Sequence, residues 1–236
     1  MKRKPKLLDL FCGAGGASIG YHRAGFEVEG VDIKPQPHYP FKFYLADALE
    51  FPLEGYDAYH ASPPCQGYSI MLNLPWLRSK VYPKLIPAVR ALFMATDKPY
   101  VIENVAGARY RPSLPEGLQA GYLCGQMFGL PIFRHRYFET NFFWFQPGHP
   151  KHEGHVRNGR KLGARAREVV VRKSGQVYGF DRVGNAVGHG NSGGISARDA
   201  LGVGWMNRDE ATQAIPPAYT EYIGSQLMKV LETNHA

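Results

Sequence analysis

With 236 residues and 44% hydrophobic side chains, the chain has room for one well-buried domain and a small appendage, and no apolar run is long enough to span a bilayer. No signal peptide is expected from the basic start, because a strand-like run follows it at once, so an intracellular protein is expected. Three cysteines without paired CxxC spacing exclude a disulfide framework and predict no structural metal, while the net charge of +8 favours a polyanionic partner.

In chain order, Lys6–Phe11 is a short apolar strand that ends at a glycine cluster, and Ala17–Ala24 reads as a helix stopped by Gly25. Strands follow at Glu27–Val31, Phe41–Leu45 and Tyr56–Ala61, the last entering a Pro-Pro turn. Pro83–Ala95 reads as a helix and Tyr100–Val105 as a fifth strand. This alternation predicts a parallel α/β sheet covered on both faces, with ligands at the carboxyl ends of its strands. Gly13, Asp32, Asp47, Cys65 and Glu103 all follow or end a predicted strand.

Arg134–Phe145 predicts a further strand or hairpin. Composition then changes: Gln146–Gly194 is rich in Gly, His, Lys and Arg, with one β-branched run at Val169–Val171. Helical patterns return at Ala197–Met206 and Tyr219–Leu231, and Ile223, Leu227 and Leu231 are spaced for one buried face. The expected division is a core over residues 1–145, a small basic lobe over 146–195, and a C-terminal segment over 196–236 that packs back on the core.

The glycine loop, Asp9 to Gly16, joins the first strand to the first helix. Its glycines permit close approach of a ligand, and a helix N-terminus offers N–H groups to an anion. Asp32 is placed to hold a ribose diol, and Asp47 to accept from an adenine amino group. The glycine spacing is not the full dinucleotide fingerprint, so a nucleoside with a small anionic tail fits better than a dinucleotide. A tight turn without a ligand is the alternative.

Cys65 differs from Cys12 and Cys124, which read as small buried residues, because two prolines and a polar stretch surround it. A thiolate there would be nucleophilic. Glu103 ends a strand, where it either caps a following helix or serves as an acid. Arg134 and Arg136 form a solvated pair, orient Glu103, or grip a phosphate.

At these residues the sequence resembles the cytosine-5 DNA methyltransferase family. The glycine loop is similar to the family's opening signature, Pro64-Cys65-Gln66 to its catalytic Pro-Cys-Gln, Glu103-Asn104-Val105 to its Glu-Asn-Val, and Arg134 with Arg136 to its Arg-x-Arg. The likeness spans nearly the whole chain outside Gln146–Gly194. It implies a Rossmann-like class I S-adenosylmethionine (SAM)-dependent methyltransferase sheet carrying a small basic target-recognition insertion. It also implies cofactor contacts from Asp9, Phe11, Gly13, Ala14, Gly15, Gly16, Asp32, Ile33, Asp47, Ala48 and Pro64. Cys65 would be the nucleophile, Glu103 the contact to N3 of cytosine, and Arg134 and Arg136 their support. Departures from the family pattern are Asp32 for glutamate, Ile132 for glutamine, Gln213-Ala214 for Gly-Asn near the last helix, and a short insertion.

Double-stranded DNA is the expected partner, in the cytoplasm or nucleoid, with no membrane and no metal. A cognate restriction enzyme has no signature in this chain. Gln66 and Ser69 lie beside the nucleophile and are expected to meet DNA. Lys151–Lys173 holds eight basic and two acidic residues, and Arg157, Arg160, Lys161 and Arg165 are its expected phosphate contacts. A solvated loop is the alternative reading of that run. RNA as substrate, a non-catalytic binding module and a small-molecule methyltransferase are the rival functions.

Overall fold

The computed structural model describes residues 3–68, 79–105, 107–108, 114–130, 132, 134–150, 169–171, 177–179 and 197–234. Seven strands form one sheet in the order β3-β2-β1-β4-β5-β7-β6: β1 (Lys6–Leu10), β2 (Glu27–Asp32), β3 (Lys42–Leu45), β4 (Ala58–Ala61), β5 (Tyr100–Val105), β6 (Gln119–Leu123) and β7 (Arg136–Thr140). The first five run parallel, with Leu10 beside both Val31 and Ala61. The expected all-parallel sheet is corrected at its far edge, where β7 is antiparallel to both β5 and β6. The connection from β6 to β7 spans residues 124–135 and holds, among the described residues, only the 3-10 turn Gly125–Phe128, with no α-helix to carry the chain across a face of the sheet, so β7 returns antiparallel beside β6.

Alternation along the strands sorts the core into two layers. Leu7 faces a layer with α1 (Gly16–Arg23) and α5 (Pro217–Asn234), built from Tyr21, Phe26, Phe138, Tyr219, Ile223, Leu227 and Leu231. Leu8 and Leu10 face the other layer, with α2 (Ile86–Met94) supplying Ile86, Val89 and Phe93. Asp9 sits between those leucines and therefore turns toward α1, where its carboxylate accepts from the Ser18 hydroxyl.

The last segment forms a third, smaller cluster. α3 (Ala197–Leu201) and α4 (Arg208–Gln213) bring Ala200, Leu201, Val203, Met206, Ala211 and Ala214 against Ala14 and Ile132. The expected helix over Ala197–Met206 ends early, at Leu201, because Gly202 takes a left-handed φ of 71°. α4 then starts on an Asn207 cap that accepts from the Glu210 N–H at 2.9 Å. β8 (Val169–Val171) and β9 (Val177–Gly179) pair antiparallel as a separate two-stranded ribbon. The rest of the basic run, including Arg157, Arg160, Lys161 and Arg165, lies outside the described residues, as does Ser69. No helix among the described residues is long and apolar enough to cross a membrane.

Candidate active site

Two groups of side chains meet at the carboxyl ends of the parallel strands. The first belongs to β1, β2 and β3. The turn after β1 is held by Cys12 N–H donating to the Val31 carbonyl at 3.1 Å and Gly15 N–H to the Cys12 carbonyl at 3.1 Å. Phe11 takes a left-handed φ of 58° in this turn, a conformation that costs an aromatic residue about 1–3 kcal/mol and that clusters at functional sites. Asp32 accepts from Gly13 N–H and from Lys34 N–H, each at 3.0 Å. Each Asp32 oxygen therefore keeps acceptor capacity for a ligand hydroxyl. Next to it Ile33 leaves 67% of its surface exposed, an apolar face beside an acid. Asp47 is exposed, and one of its oxygens accepts from Leu49 N–H at 2.9 Å. Ala48 is buried beside it.

The glycines divide by duty. A Cβ on Gly13 would meet nothing within 4 Å, so its surroundings are open to a ligand. A Cβ on Gly15 would lie 2.7 Å from the Pro40 ring, and one on Gly16 2.5 Å from the Ile215 carbonyl. Those two glycines are demanded by packing of the chain on itself. Ala14 is likewise covered: its carbonyl accepts from the Trp205 indole N–H at 3.0 Å. Asp9 is wholly buried, and its second oxygen has no hydrogen-bond partner among the described residues. Burial pushes its carboxyl up to about 7. An acidic diol acceptor, an apolar face, an open glycine turn and an under-satisfied buried carboxylate make a donor set that suits a nucleoside with a cationic tail.

The second group belongs to β4, β5 and β7. Ser62, Pro63, Pro64 and Cys65 follow β4, and the Asn104 side chain on β5 donates to the Pro63 carbonyl at 2.8 Å. That bond fixes the proline turn to the neighbouring strand. Cys65 is half-buried and starts a short 3-10 turn over Gln66–Tyr68, where Gln66 is exposed. Glu103 is buried and pairs with the Arg136 guanidinium at 3.2 Å. Burial pushes the Cys65 thiol up from its ordinary value; Arg136 opposes this, and Glu103 adds to it. Burial likewise raises the Glu103 carboxyl, against Arg136, the Ser62 hydroxyl and Arg134. Thiol, acid and arginine thus act on one another electrostatically.

The sequence held no signal for what lies behind Glu103. Tyr21, His60 and Ser62 form a hydrogen-bonded row, with 2.9 Å at each step, and the Ser62 hydroxyl lies where it favours the charged form of Glu103. His60 is wholly buried and its pKa falls to about 3, so it stays neutral. If Ser62 gives its proton to Glu103, His60 must donate from Nε2 and accept from the Tyr21 hydroxyl at Nδ1. A lone histidine in an apolar strand reads as core, and only the fold shows what it touches.

Arg134 is held by the C-terminal segment. It is buried at 1% exposure, and its guanidinium donates to the Thr212 carbonyl at 2.5 Å, while the Tyr219 hydroxyl donates to the Arg134 backbone carbonyl. It ties the C-terminal segment to the start of β7, and its charge still reaches Cys65 and Glu103. Arg136 is the arginine in contact with the acid.

No family model matches the chain. A Neisseria gonorrhoeae protein named Type II methyltransferase M.NgoFVII is 27% identical over 205 residues, covering 71% of this chain and 53% of that protein. The chain thus spans about half the length of that curated relative. The fold superposes at a TM-score of 0.58 on a protein assigned as a DNA modification methyltransferase and encoded within an E. coli prophage, with 16% identity and coverage of 97% and 100% of the two chains. S. pombe Dnmt2 methyltransferase gives the same TM-score, 0.58, with 14% identity and coverage of 97% and 99%. The chain shares the Rossmann-like fold of these two methyltransferases.

Proposed function

We propose that the protein is a SAM-dependent DNA methyltransferase that modifies carbon 5 of cytosine through a transient bond to Cys65. The observation that carries this reading is the meeting of Cys65, Glu103 and Arg136 at the ends of β4, β5 and β7, one strand away from the cradle built by β1, β2 and β3. The Type II methyltransferase relative supports methyl transfer to DNA. The nucleophilic cysteine beside a buried acid supports carbon 5, because an exocyclic amino group is itself a nucleophile and needs no covalent helper.

In this reading Asp32 would hold the ribose, Asp47 the adenine amino group, and Phe11 and Ile33 the adenine faces. The unpartnered oxygen of Asp9 would accept from the ammonium of the cofactor's tail. When bound, SAM supplies an electrophilic methyl group on a sulfonium centre.

The protein's own residues do the rest. Carbon 5 of cytosine is a weak nucleophile until the ring loses its conjugation. The Cys65 thiolate adds to carbon 6, forming a C–S bond, while protonated Glu103 gives its proton to N3 and keeps charge off the ring. Carbon 5 is then enamine-like and takes the methyl group. A water-derived base removes the carbon-5 proton, the C–S bond breaks to return the thiolate, and N3 returns its proton to Glu103. The base must leave the duplex, at a cost of a few kcal/mol.

The test is transfer of labelled methyl from SAM to duplex DNA, with the modified nucleoside identified by mass spectrometry. The expected product is 5-methylcytosine, and a duplex containing 5-fluorocytosine should trap a covalent adduct that Cys65→Ser lacks. Glu103→Gln should slow turnover by about 10²-fold or more. An N-methylated product, or full turnover by Cys65→Ser, overturns the covalent reading; transfer to RNA but not DNA overturns the substrate.

A further inference from the structure

We infer that Cys124, His135 and His149 form a binding site for one divalent cation of borderline softness, with zinc the best match. The ligand atoms of these three side chains all lie within 4.8 Å of one another. The mutual approach follows from strand pairing. β6 and β7 are antiparallel with Leu123 opposite Arg136, so the next cross-strand position sets Cys124 opposite His135. The chain after β7 then runs back along the outer edge of β6. Trp144 N–H donates to Gln119 at 2.8 Å, and Tyr122 N–H donates to Gln146 at 2.8 Å, which carries the segment to His149 at the Cys124 end.

The two imidazoles meet through their Nε2 atoms at 3.0 Å, with the rings nearly parallel at 21° and their centres 5.1 Å apart. Tyr122 packs against both rings, at 5.9 and 5.5 Å, and forms one wall. The Cys124 sulfur accepts a backbone N–H from the 3-10 turn Gly125–Phe128, which it caps. One thiolate sulfur and two imidazole nitrogens are a donor set that suits zinc, and a water molecule completes the tetrahedron. Tetrahedral ligands around zinc stand about 3.3–3.6 Å apart, so closure requires the thiol and imidazoles to move by about 1 Å.

The site would act as a clip. It would fasten the segment that covers the β6 edge, and it would fix His135, which stands between the buried Arg134 and the Arg136 that holds Glu103. None of the ligands belongs to the proposed methyl-transfer chemistry, so the site stands or falls independently of it.

The experiment uses the full chain without a histidine tag, stripped with chelator and titrated with Co²⁺ alone, then with Zn²⁺ as competitor. The expected result is a saturable spectrum with intense tetrahedral d–d bands and a sulfur-to-cobalt charge-transfer band, both abolished by Zn²⁺. Cys124→Ser should lose the charge-transfer band. His149→Ala, a substitution on a half-exposed residue that leaves the core intact, should weaken binding by more than about tenfold at unchanged circular dichroism. Only the faint octahedral spectrum of the aquo ion, a charge-transfer band that survives Cys124→Ser, or an affinity unmoved by His149→Ala would each overturn the site.

Discussion

Cys65 illustrates how one group's environment sets its working range. Its thiol is held above the ordinary value by burial and by Glu103, and Arg136 is the main force pulling it down. The reactive thiolate therefore increases with pH, with a midpoint above the ordinary thiol value of about 8.5. Alkylation by iodoacetamide, followed at Cys65 by mass spectrometry, should show that midpoint, and Arg136→Gln should move it higher. A midpoint that stays put or falls in the variant would remove Arg136 from the electrostatics of the nucleophile. Asp9 makes a second residue-scale prediction. Its native carboxyl titrates at about 7, whereas an unfolded aspartate titrates at about 3.9. Between those values the native state holds a proton that the unfolded chain has released, so stability falls as pH rises through the window. Asp9→Asn lacks this titration. Thermal unfolding from about pH 4 to 8 should show the variant gaining on the parent as pH rises; parallel curves would contradict the shifted carboxyl.

At the scale of elements, α1 and α5 approach each other closely. A Cβ on Gly20 would lie 2.0 Å from the Thr220 hydroxyl oxygen and 2.2 Å from the Pro217 carbonyl, and one on Gly224 would lie 2.9 Å from Ala24. The helices cross where both lack side chains, and Thr220 uses the proximity to donate to the Ala17 carbonyl at 2.8 Å. Gly20→Ala would gain about 1 kcal/mol of helix propensity and lose more, about 1–3 kcal/mol, to overpacking against backbone that cannot retreat. Urea unfolding should show net destabilisation. Gly13→Ala is the contrasting case. It meets no atom, carries only the left-handed backbone cost of about 1–2 kcal/mol, and should weaken SAM binding more than stability. Calorimetric titration with SAM separates the two.

For the whole molecule, the net charge of +8 is concentrated by the run from Lys151 to Lys173. We propose that this run grips DNA phosphates. Neutralising Arg157, Arg160, Lys161 and Arg165 together should reduce the slope of log affinity against log salt by up to about 3.6. Affinity measured on duplexes at several salt concentrations checks this, and an unchanged slope would assign the run to solvent.

Much of the architecture was legible because it rests on local pattern. Strand and helix periods placed the strands β1 to β5, the helices α1, α2 and α5, and the apolar stripe of Ile223, Leu227 and Leu231, since period and chain direction follow from covalent geometry. The same logic placed Asp32, Cys65 and Glu103 at strand ends. Contacts made across the sheet were not legible. β6 escaped notice because Gln119–Leu123 has neither clean alternation nor a long apolar run, and it exists through pairing with β7. The partner of Arg134 was not legible either, because the Thr212 carbonyl lies 78 residues away. His60 behind Glu103, and the cysteine and two histidines at the β6 edge, carry no sequence spacing at all. The expectation of no metal rested on spacing within the chain, whereas a ligand set needs only spacing in space. The sequence by itself determined which residues could do chemistry and at which strand ends they stand, because motif and period are local; the tertiary structure decided which of them touch, because that depends on strand order and on a C-terminal segment folding back across the first turn.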